Sequence, residues 1–255
     1  MKLASYNVNG LRAALKKGLV PWVSDQNFDI ICFQETKSQP EQVDLAKFES
    51  MGYHSYWHSA EKKGYSGVLT LSKSNADYVY KGMGKKIYDD EGRILRIDIG
   101  DLSLLNCYFP SGSSGEIRHE FKIKFLKDFK LFINNMIKER PNLIVVGDYN
   151  IVHGDLDIHN PERKDLPSGF RPEERKWLDV WFRNSFDDAF RKCHPHKQEF
   201  SWWSYRAGSR ERNKGWRIDY ISASKSISHL IKDAGHNNKA IHSDHCPVWA
   251  KFDFS

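Results

Sequence analysis

Polar side chains that could do chemistry stand at the ends of several apolar segments. They are Asn7, Asn9, Glu35, Asp148, Asn150, Asp219, Asp244 and His245. Taken singly, each also fits an ordinary turn or helix cap. An uncompensated buried charge is costly, so buried segments seldom end repeatedly in carboxylates. The repetition over five segments therefore predicts that these side chains gather at one rim of a sheet, where active sites are commonly built.

The residue types restrict the chemistry of such a site. Carboxylate and amide oxygens are hard ligands that suit Mg²⁺ or Mn²⁺. Zinc is disfavoured, because the four cysteines are dispersed and no paired-histidine motif is present. A histidine among carboxylates needs one of them to fix its tautomer. With a formal net charge of +6 and a pI near 9.0, the set predicts metal-assisted hydrolysis of a phosphodiester.

Composition predicts a globular protein that folds as a single domain over residues 1–255. Hydrophobic residues make up 40% of the chain and charged residues 28%, and no repeat or linker interrupts it. The scattered cysteines are expected to be buried and reduced. No signal peptide or membrane span is evident, so we expect a soluble intracellular protein, either cytoplasmic and nucleoid-associated or nuclear.

Strands and helices alternate along the chain, which predicts an α/β or α+β fold. Eight strands are expected, over "KLASYNV", "FDIICFQE", "SGVLTLSK", "ILRIDIG", "LSLLNCYF", "NLIVVGDYN", "RIDYISA" and "CPVWAKFDF". The longest helix is expected over "GEIRHEFKIKFLKDFKLFINNMIKER", with an apolar face that begins at Ile117 and includes Phe125 and Phe129. A second helix begins at "RPEERKWLDVWF", and shorter ones cover "VPWVSDQ" and "EQVDLAKFES".

Ten short motifs occur in the order and spacing of one known family. They are "SYNVNGLRA", "FQETK", "KKGYSGV", "EGRILR", "NCYFPSG", "GDYNIVH", "SGFRPEER", "WWSYR", "RERNKGWRIDY" and "SDHCPV". The chain resembles, over essentially its whole length, the exonuclease III family of abasic-site endonucleases. The motifs "GDxN" and "SDHxP" mark only the wider endonuclease/exonuclease/phosphatase superfamily, whereas "WWSYR" and "GWRIDY" narrow the resemblance to its DNA-repair branch. The fold implied is a deoxyribonuclease I-like four-layer α/β sandwich, with two packed mixed sheets flanked by helices.

The resemblance implies a role for each matching position. Glu35 would be the principal Mg²⁺ ligand, assisted by Asn9 and Asp244, with Mn²⁺ as a possible substitute. Asp148 would orient or deprotonate the attacking water, and Tyr108 would place its phenol at the scissile phosphate. His245, held by Asp219, would bind or protonate a phosphate oxygen. The amides of Asn7 and Asn150 would hold the phosphate and neighbouring side chains.

The implied activity is incision of double-stranded DNA 5′ to abasic sites, leaving a 3′-hydroxyl and a 5′-deoxyribose phosphate. Removal of 3′ blocking groups by 3′-5′ exonuclease or 3′-phosphodiesterase/phosphatase action would accompany it, and a monomer is expected. An apolar pocket for the abasic sugar would be lined by Trp202, Trp216 and Ile218. The expected DNA-binding residues are Arg12, Lys17, Tyr65, Ser111 and Arg206, and Arg210, Arg212, Lys214 and Arg217 are further candidates for phosphate contacts.

Other functions remain open on the sequence. The protein could be mainly a 3′-5′ exodeoxyribonuclease, a phosphatase for small or lipid-linked phosphates, or a fold that only binds DNA. Competition by duplex DNA would discriminate the DNA-repair hypothesis from the small-molecule phosphatase, and salt-sensitive DNA binding without metal-dependent cleavage would support the binding-only fold. The segment "HGDLDIHNPERK" spaces His153, Asp155, Asp157 and His159 at alternate positions. We interpret it as a capped loop rather than a metal site, and we expect His194 and His196 at the surface.

Overall fold

The computed structural model describes residues 1–254, in which fourteen strands and seven α-helices alternate. The strands are β1 (Lys2–Asn7), β2 (Ile30–Gln34), β3 (His54–His58), β4 (Val68–Ser72), β5 (Tyr78–Lys81), β6 (Ile94–Ile99), β7 (Leu102–Tyr108), β8 (Leu143–Asp148), β9 (Phe186–Asp188), β10 (Trp202–Trp203), β11 (Gly215–Trp216), β12 (Asp219–Ser224), β13 (Ile231–His236) and β14 (Val248–Phe252). The helices are α1 (Leu11–Lys16), α2 (Leu19–Gln26), α3 (Ala46–Glu49), α4 (Lys86–Asp89), α5 (Glu116–Glu139), α6 (Pro172–Asn184) and α7 (Ala189–Cys193). Short 3₁₀ turns cover Pro40–Gln42, Asp155–Asp157, Arg206–Gly208 and Ser228–Leu230.

Two six-stranded mixed sheets pack face to face, in the orders β13-β14-β1-β2-β4-β3 and β5-β6-β7-β8-β12-β9. Leu3 and Ile30 of the first sheet join Leu104 and Ile144 of the second in one apolar core. Helices α5 and α6 cover the outer face of the second sheet through Phe129 and other aromatic side chains. Helices α1 and α2 cover the first sheet. The predicted four-layer α/β sandwich is therefore confirmed.

Each of the eight expected strands is present, and the strands that the sequence did not predict lie mainly at sheet edges or are very short. Strand β5 carries "YVYK" with all four residues exposed, so it has no alternation of buried and exposed positions to recognise. Strand β13 is interrupted by a bulge between Ile231 and Asp233 and contains a glycine. The helix expected over "EQVDLAKFES" is instead a 3₁₀ turn followed by the four-residue helix α3.

Helix α5 covers the predicted range, but its buried face differs from the expected one. Ile117 is 87% exposed, whereas His119 and Lys122 are buried. Ile117 stands in the first turn of the helix, and the two buried polar side chains that follow have charged partners, Glu173 for His119 and Glu174 for Lys122. None of the helices within residues 1–254 has both the length and the apolar composition needed to cross a bilayer.

Candidate active site

The topology brings the predicted polar residues to one rim of the sandwich. Strand β1 runs parallel to β2, and β7 runs parallel to β8, so Asn7, Glu35, Tyr108 and Asp148 all lie at carboxyl ends of strands. Strand β12 is antiparallel to β8 and begins with Asp219 directly opposite Asp148. The segment that leads into β14 adds the remaining residues, Asp244 and His245.

The backbone turns sharply where these strands end. Asn9, Glu35 and Asn150 all have positive φ, at 46°, 51° and 54°. Asparagine tolerates this region, but glutamate seldom adopts it, which marks Glu35 as a locally strained position. Gly147 precedes Asp148 with φ 144°, and a Cβ there would lie 1.7 Å from the Cys107 carbonyl oxygen. Only glycine therefore allows β8 to approach β7 this closely beside the site.

The amide of Asn7 connects two carboxylates across the sheets. Its Nδ2 donates to Glu35 Oε1 at 2.8 Å and to Asp148 Oδ2 at 2.9 Å, while its Oδ1 accepts from the Asn9 backbone N–H at 3.0 Å. Asn7 is fully buried. Since all of these groups are satisfied, the amide fixes the separation of the two acids before any substrate arrives.

His245 and Asp219 form a buried pair behind the site. His245 Nδ1 lies 2.8 Å from Asp219 Oδ2, which also accepts from Ser201 Oγ at 2.6 Å. The other ring nitrogen, Nε2, lies 3.8 Å from Asp148 Oδ2. Burial by itself lowers the pKa of His245, but the charges of Asp219 and Asp148 outweigh it and raise that pKa to about 10. The imidazole is thus held as a cation that faces the site.

Asp148 has a raised pKa, first because it is buried and second because Asp219 and Glu35 are nearby. A carboxylate of this kind is a better proton acceptor near neutral pH than an ordinary aspartate. Its Oδ1 accepts from the Asn150 backbone N–H at 2.8 Å, and its Oδ2 accepts from Asn150 Nδ2 at 3.2 Å. Both oxygens therefore have fixed directions.

The expected metal ligands surround a cationic position. Lys37 Nζ lies 2.8 Å from Glu35 Oε2 and 2.5 Å from Asn9 Oδ1, and Asn9 Nδ2 donates to Asp244 Oδ1 at 3.0 Å. Burial alone would raise the pKa of Glu35, but Lys37 and the hydrogen bond from Asn7 lower it below its usual value. Asp244 is also held by Trp202 Nε1 at 3.0 Å. The oxygens thus favour a positive charge between Glu35 and Asn9.

Glu35, Asp148 and His245 also place one ligand atom each within 4.8 Å of the others, and they are the sole such group in the described part of the chain. His245 is held as a cation and is not a ligand in that state, but the oxygens of Glu35, Asn9 and Asp244 beside it suit a hard divalent cation. The residues present therefore fit a metal ion. Lys37 was not predicted, although it stands two positions after Glu35 in the quoted motif "FQETK".

Tyr108 is buried against the site and backed by an arginine. Burial, together with the charge of Glu35, holds the pKa of the Tyr108 phenol well above its usual value, so it remains a hydrogen-bond donor. The Arg93 guanidinium lies 4.7 Å from the Tyr108 ring centroid and donates a hydrogen bond to the Tyr108 backbone carbonyl at 2.9 Å. Tyr65, an expected DNA-binding residue, accepts at its hydroxyl from Arg93 at 3.0 Å and from Arg118 at 2.9 Å. The sequence interpretation missed both arginines.

A buried ion pair supports Asn150 from behind. Lys122 Nζ donates to the Asn150 carbonyl oxygen at 2.7 Å and lies 2.5 Å from Glu174 Oε1, and both side chains are fully buried. Glu174 also accepts from the Gly169 N–H at 2.6 Å. Burial lowers the pKa of Lys122, and Glu174 opposes that effect. In the sequence, this pair is indicated only by the position of Lys122 on the apolar side of the predicted helix.

Replacing Lys122 by methionine is expected to lower the free energy of unfolding by about 3–5 kcal/mol, because Glu174 would be left charged and buried without its partner. Urea titration at pH 7 checks this. The matched control is the double variant Lys122→Met with Glu174→Gln, which removes both charges and is expected to lose less than the single variant. A single variant within about 1 kcal/mol of wild type would contradict the role given to the pair.

An apolar pocket opens beside the catalytic groups. Trp202 and Trp216 meet edge to face with ring centroids 5.8 Å apart, Ile218 completes the apolar wall, and Phe170 packs against this cluster from outside the cavity lining. The cavity has a volume of about 540 Å³, and its lining includes Tyr108, Asp148, Asn150, Ser111 and His245 as well as the pocket residues. The three predicted pocket residues thus share one cavity with the residues predicted to be catalytic.

The expected DNA-contacting residues lie around this cavity in different environments. Arg12 is exposed and lines a neighbouring cleft of about 890 Å³ with Lys16 and Lys37. Lys17 donates to the His242 carbonyl at 3.2 Å. Arg206 is exposed on a 3₁₀ turn. Cationic side chains therefore border the site on the side of α1 and remain accessible to a polyanion.

One predicted phosphate contact is wrong. Arg217 is fully buried, with its guanidinium 2.7 Å from Asp157 and 2.8 Å from Asp188, so it cannot reach DNA. Arg210 is likewise engaged, since it donates to the Ser243 carbonyl at 2.9 Å. Both arginines belong to a basic stretch of the sequence, but their side chains bind acidic or carbonyl groups of the protein itself.

The loop that resembled a metal site is capped by ion pairs. Asp157 is buried and binds Arg217 and Arg191, while His153 contacts Asp179 at 2.8 Å. The alternate acids and histidines point to different partners and do not converge. His196 is exposed, whereas the His194 ring is half-buried and lies 2.8 Å from the Ala234 carbonyl.

Two packed mixed sheets carrying acids, amides and a paired histidine at one rim define a phosphoester hydrolase with a deoxyribonuclease I-like fold. The model of the endonuclease/exonuclease/phosphatase family matches residues 4–245, and the chain belongs to this family. The chain is 38% identical to the exodeoxyribonuclease of Bacillus subtilis. The aligned region covers 97% of this chain and 98% of the Bacillus subtilis protein.

Solved structures agree with this assignment. An AP endonuclease from Archaeoglobus fulgidus has a TM-score of 0.90 at 29% identity, with 99% of each chain covered. A 3′ phosphatase, NExo, from Neisseria, bound to a product DNA hairpin, has a TM-score of 0.92 at 27% identity, with both chains fully covered. The predicted resemblance to the exonuclease III type of hydrolase is confirmed.

Proposed function

We propose that this chain is a Mg²⁺-dependent DNA-repair phosphodiesterase that cuts duplex DNA 5′ to abasic sites and leaves a 3′-hydroxyl and a 5′-deoxyribose phosphate. The observation that carries the proposal is the shared cavity, in which the apolar wall of Trp202, Trp216 and Ile218 adjoins Asp148 and His245. A baseless sugar presents C–H groups and no base to be paired, and it is easier to flip out than a paired nucleotide. A wall of this kind beside a phosphate-cleaving centre suits that substrate.

In the proposed mechanism, the chain's own groups position water and phosphate. Asp148 accepts one proton of the attacking water, whose oxygen forms a new bond to phosphorus as the bond to the upstream O3′ breaks. The O3′ oxyanion then takes a proton from solvent, which gives the 3′-hydroxyl. The Asn7 and Asn150 amides hold Asp148 in place. The His245 imidazolium and the Tyr108 phenol donate hydrogen bonds to phosphate oxygens, which stabilises the charge that develops there.

Glu35, Asn9 and Asp244 would hold Mg²⁺, which supplies charge neutralisation at the phosphate when bound. For the ion to bind, Lys37 must leave its position between Glu35 and Asn9. Its side chain is 33% exposed, so it has room to turn toward solvent. The oxygens of Glu35 and Asn9 that now hold the ammonium group would then hold the divalent cation.

The substrate we propose is double-stranded DNA. The net charge of +6 and the cleft lined by Arg12 and Lys16 support a polyanionic partner. A mainly 3′-directed activity is the second candidate function. The similarity to NExo, a 3′ phosphatase from Neisseria, favours this second candidate. Internal incision and 3′-directed cleavage would use the same catalytic groups. They would differ in how the nucleotide in the pocket is bound.

The test is a duplex oligonucleotide with one internal tetrahydrofuran, a stable abasic analogue, incubated with enzyme and Mg²⁺. A single cut 5′ to the analogue supports the proposal. Progressive shortening from the 3′ ends without that cut favours the second candidate, and an intact duplex that is tightly bound contradicts both.

Removal of metal by excess EDTA is expected to slow the internal cut by at least about 10²-fold, because loss of charge neutralisation costs several kcal/mol in the transition state. Excess Mg²⁺ should restore the rate. The Glu35→Gln variant should need a higher Mg²⁺ concentration for half-maximal rate, and titration of the initial rate checks this. An unchanged rate in EDTA would exclude the metal-dependent mechanism.

A further inference from the structure

A guanidinium forms part of the pocket wall beside Trp216. Arg163 lies in the loop before α6, and its Cζ is 5.5 Å from the Trp216 ring centroid. It lines the same cavity as Asp148 and His245, and its side chain is 21% exposed. Among the described residues that line this cavity, Arg163 and His245 are the two cationic groups.

Arg163 has donors left for a ligand. Its Nε and one terminal nitrogen hold Asp165 at 3.1 and 2.6 Å, and that carboxylate is 73% exposed. A guanidinium carries five N–H donors, so three remain after this contact. The ring of Trp216 and the carboxylate fix its plane, which reduces the entropy lost when it binds a second anion.

The substrate supplies a matching anion. An internal abasic nucleotide carries two phosphates, one on each side of its sugar. If the 5′ phosphate is at His245 and the sugar contacts Trp216, Arg163 beside that ring is the cationic group of the cavity left for the 3′ phosphate. A nucleotide at a 3′ end lacks that second phosphate, and so does a 3′-terminal phosphate group. Arginine binds phosphate through two parallel hydrogen bonds, which suits it to this contact.

We propose that Arg163 binds the phosphate on the 3′ side of the flipped-out sugar and thereby favours internal abasic sites over 3′-terminal groups. This inference rests on the proposed function. It makes Arg163 a specificity-determining residue for that reaction, separate from the groups that cleave the phosphodiester.

Three substrates that share the same scissile bond test it. The first is a duplex with an internal tetrahydrofuran, the second has the tetrahydrofuran at a recessed 3′ end, and the third is internal with an uncharged methylphosphonate at its 3′ linkage. The enzymes are wild type, Arg163→Gln and Lys164→Gln. Lys164 is exposed in the same loop outside the cavity lining, so its variant loses the same charge without the contact. The measurement is kcat/KM for each combination.

Arg163→Gln is expected to lower kcat/KM by about tenfold on the internal substrate, the size expected for a hydrogen bond to a charged group. On the other two substrates it should change by less than about twofold, which also shows that the variant is folded. Lys164→Gln should show no such difference between substrates. An equal loss on all three substrates would overturn the inference alone. A wild-type enzyme that cuts only the terminal substrate would instead contradict the proposed function and remove the inference with it.

Discussion

The Asp148→Asn variant is expected to lower kcat on the internal tetrahydrofuran duplex by about 10²- to 10⁴-fold, the range for loss of a general base. The amide cannot take the proton of the attacking water, yet it preserves the size of the side chain. Asn7 and Asn150 would still surround it, so substrate binding should change much less than kcat. Single-turnover cleavage, with binding measured separately in Ca²⁺, separates the two effects.

The pH dependence follows from the same residue. Burial and Asp219 raise the pKa of Asp148, so a larger fraction is protonated, and inactive as a base, as the pH falls. The rate of wild type should therefore decline as the pH is lowered through the raised pKa of Asp148. A cation bound at Glu35 should shift this decline to lower pH.

Asp155→Asn is the matched control for Asp148→Asn, since Asp155 is an exposed acid that pairs with Arg175 away from the site. A variant at Asp148 that keeps more than about a tenth of the wild-type kcat would contradict the assigned role.

The sequence predicted the groups at the rim well because strand ends and motifs are local features. The parallel pairing of β1 with β2 and of β7 with β8 brings Asn7, Glu35 and Asp148 together, and buried apolar runs made those strands recognisable. The polar residues in question follow the runs directly. The roles given to them rest on the family resemblance and on the geometry, and remain to be tested.

Residues that act through burial could not be predicted in the same way. Lys122 stands beside the apolar residues of a lysine-rich helix, where a lysine can equally reach solvent, and its burial depends on a partner 52 positions later in α6. Arg217 was expected to contact DNA because its neighbours are basic, but Asp157 and Asp188 draw it inward. Whether an ionisable side chain faces solvent or a buried counter-charge depends on tertiary contacts between segments that are distant in sequence.

The pair formed by His245 and Asp219 carries the second large effect. His245→Gln is expected to lower kcat by about 10²- to 10³-fold, because it removes the cation that faces the phosphate. Asp219→Asn should cost nearly as much, since the neutral amide no longer holds the imidazole as a cation with a pKa of about 10. The pH dependence of the rate should show this directly. Wild type should lose activity only as the pH approaches the His245 pKa of about 10, and Asp219→Asn should lose it at a lower pH.

The double variant distinguishes coupled action from two separate contributions. If Asp219 works by holding His245, then the double variant should be about as slow as His245→Gln alone, far from the product of the two single effects. If Asp219 instead supports Ser201 and the local fold, the two losses should multiply, and the single variant at Asp219 should also unfold more easily. Measuring kcat for the four enzymes, with thermal unfolding of each as the control, decides between these outcomes. The 2.8 Å contact between Nδ1 and Oδ2, with Nε2 turned toward Asp148, favours the first.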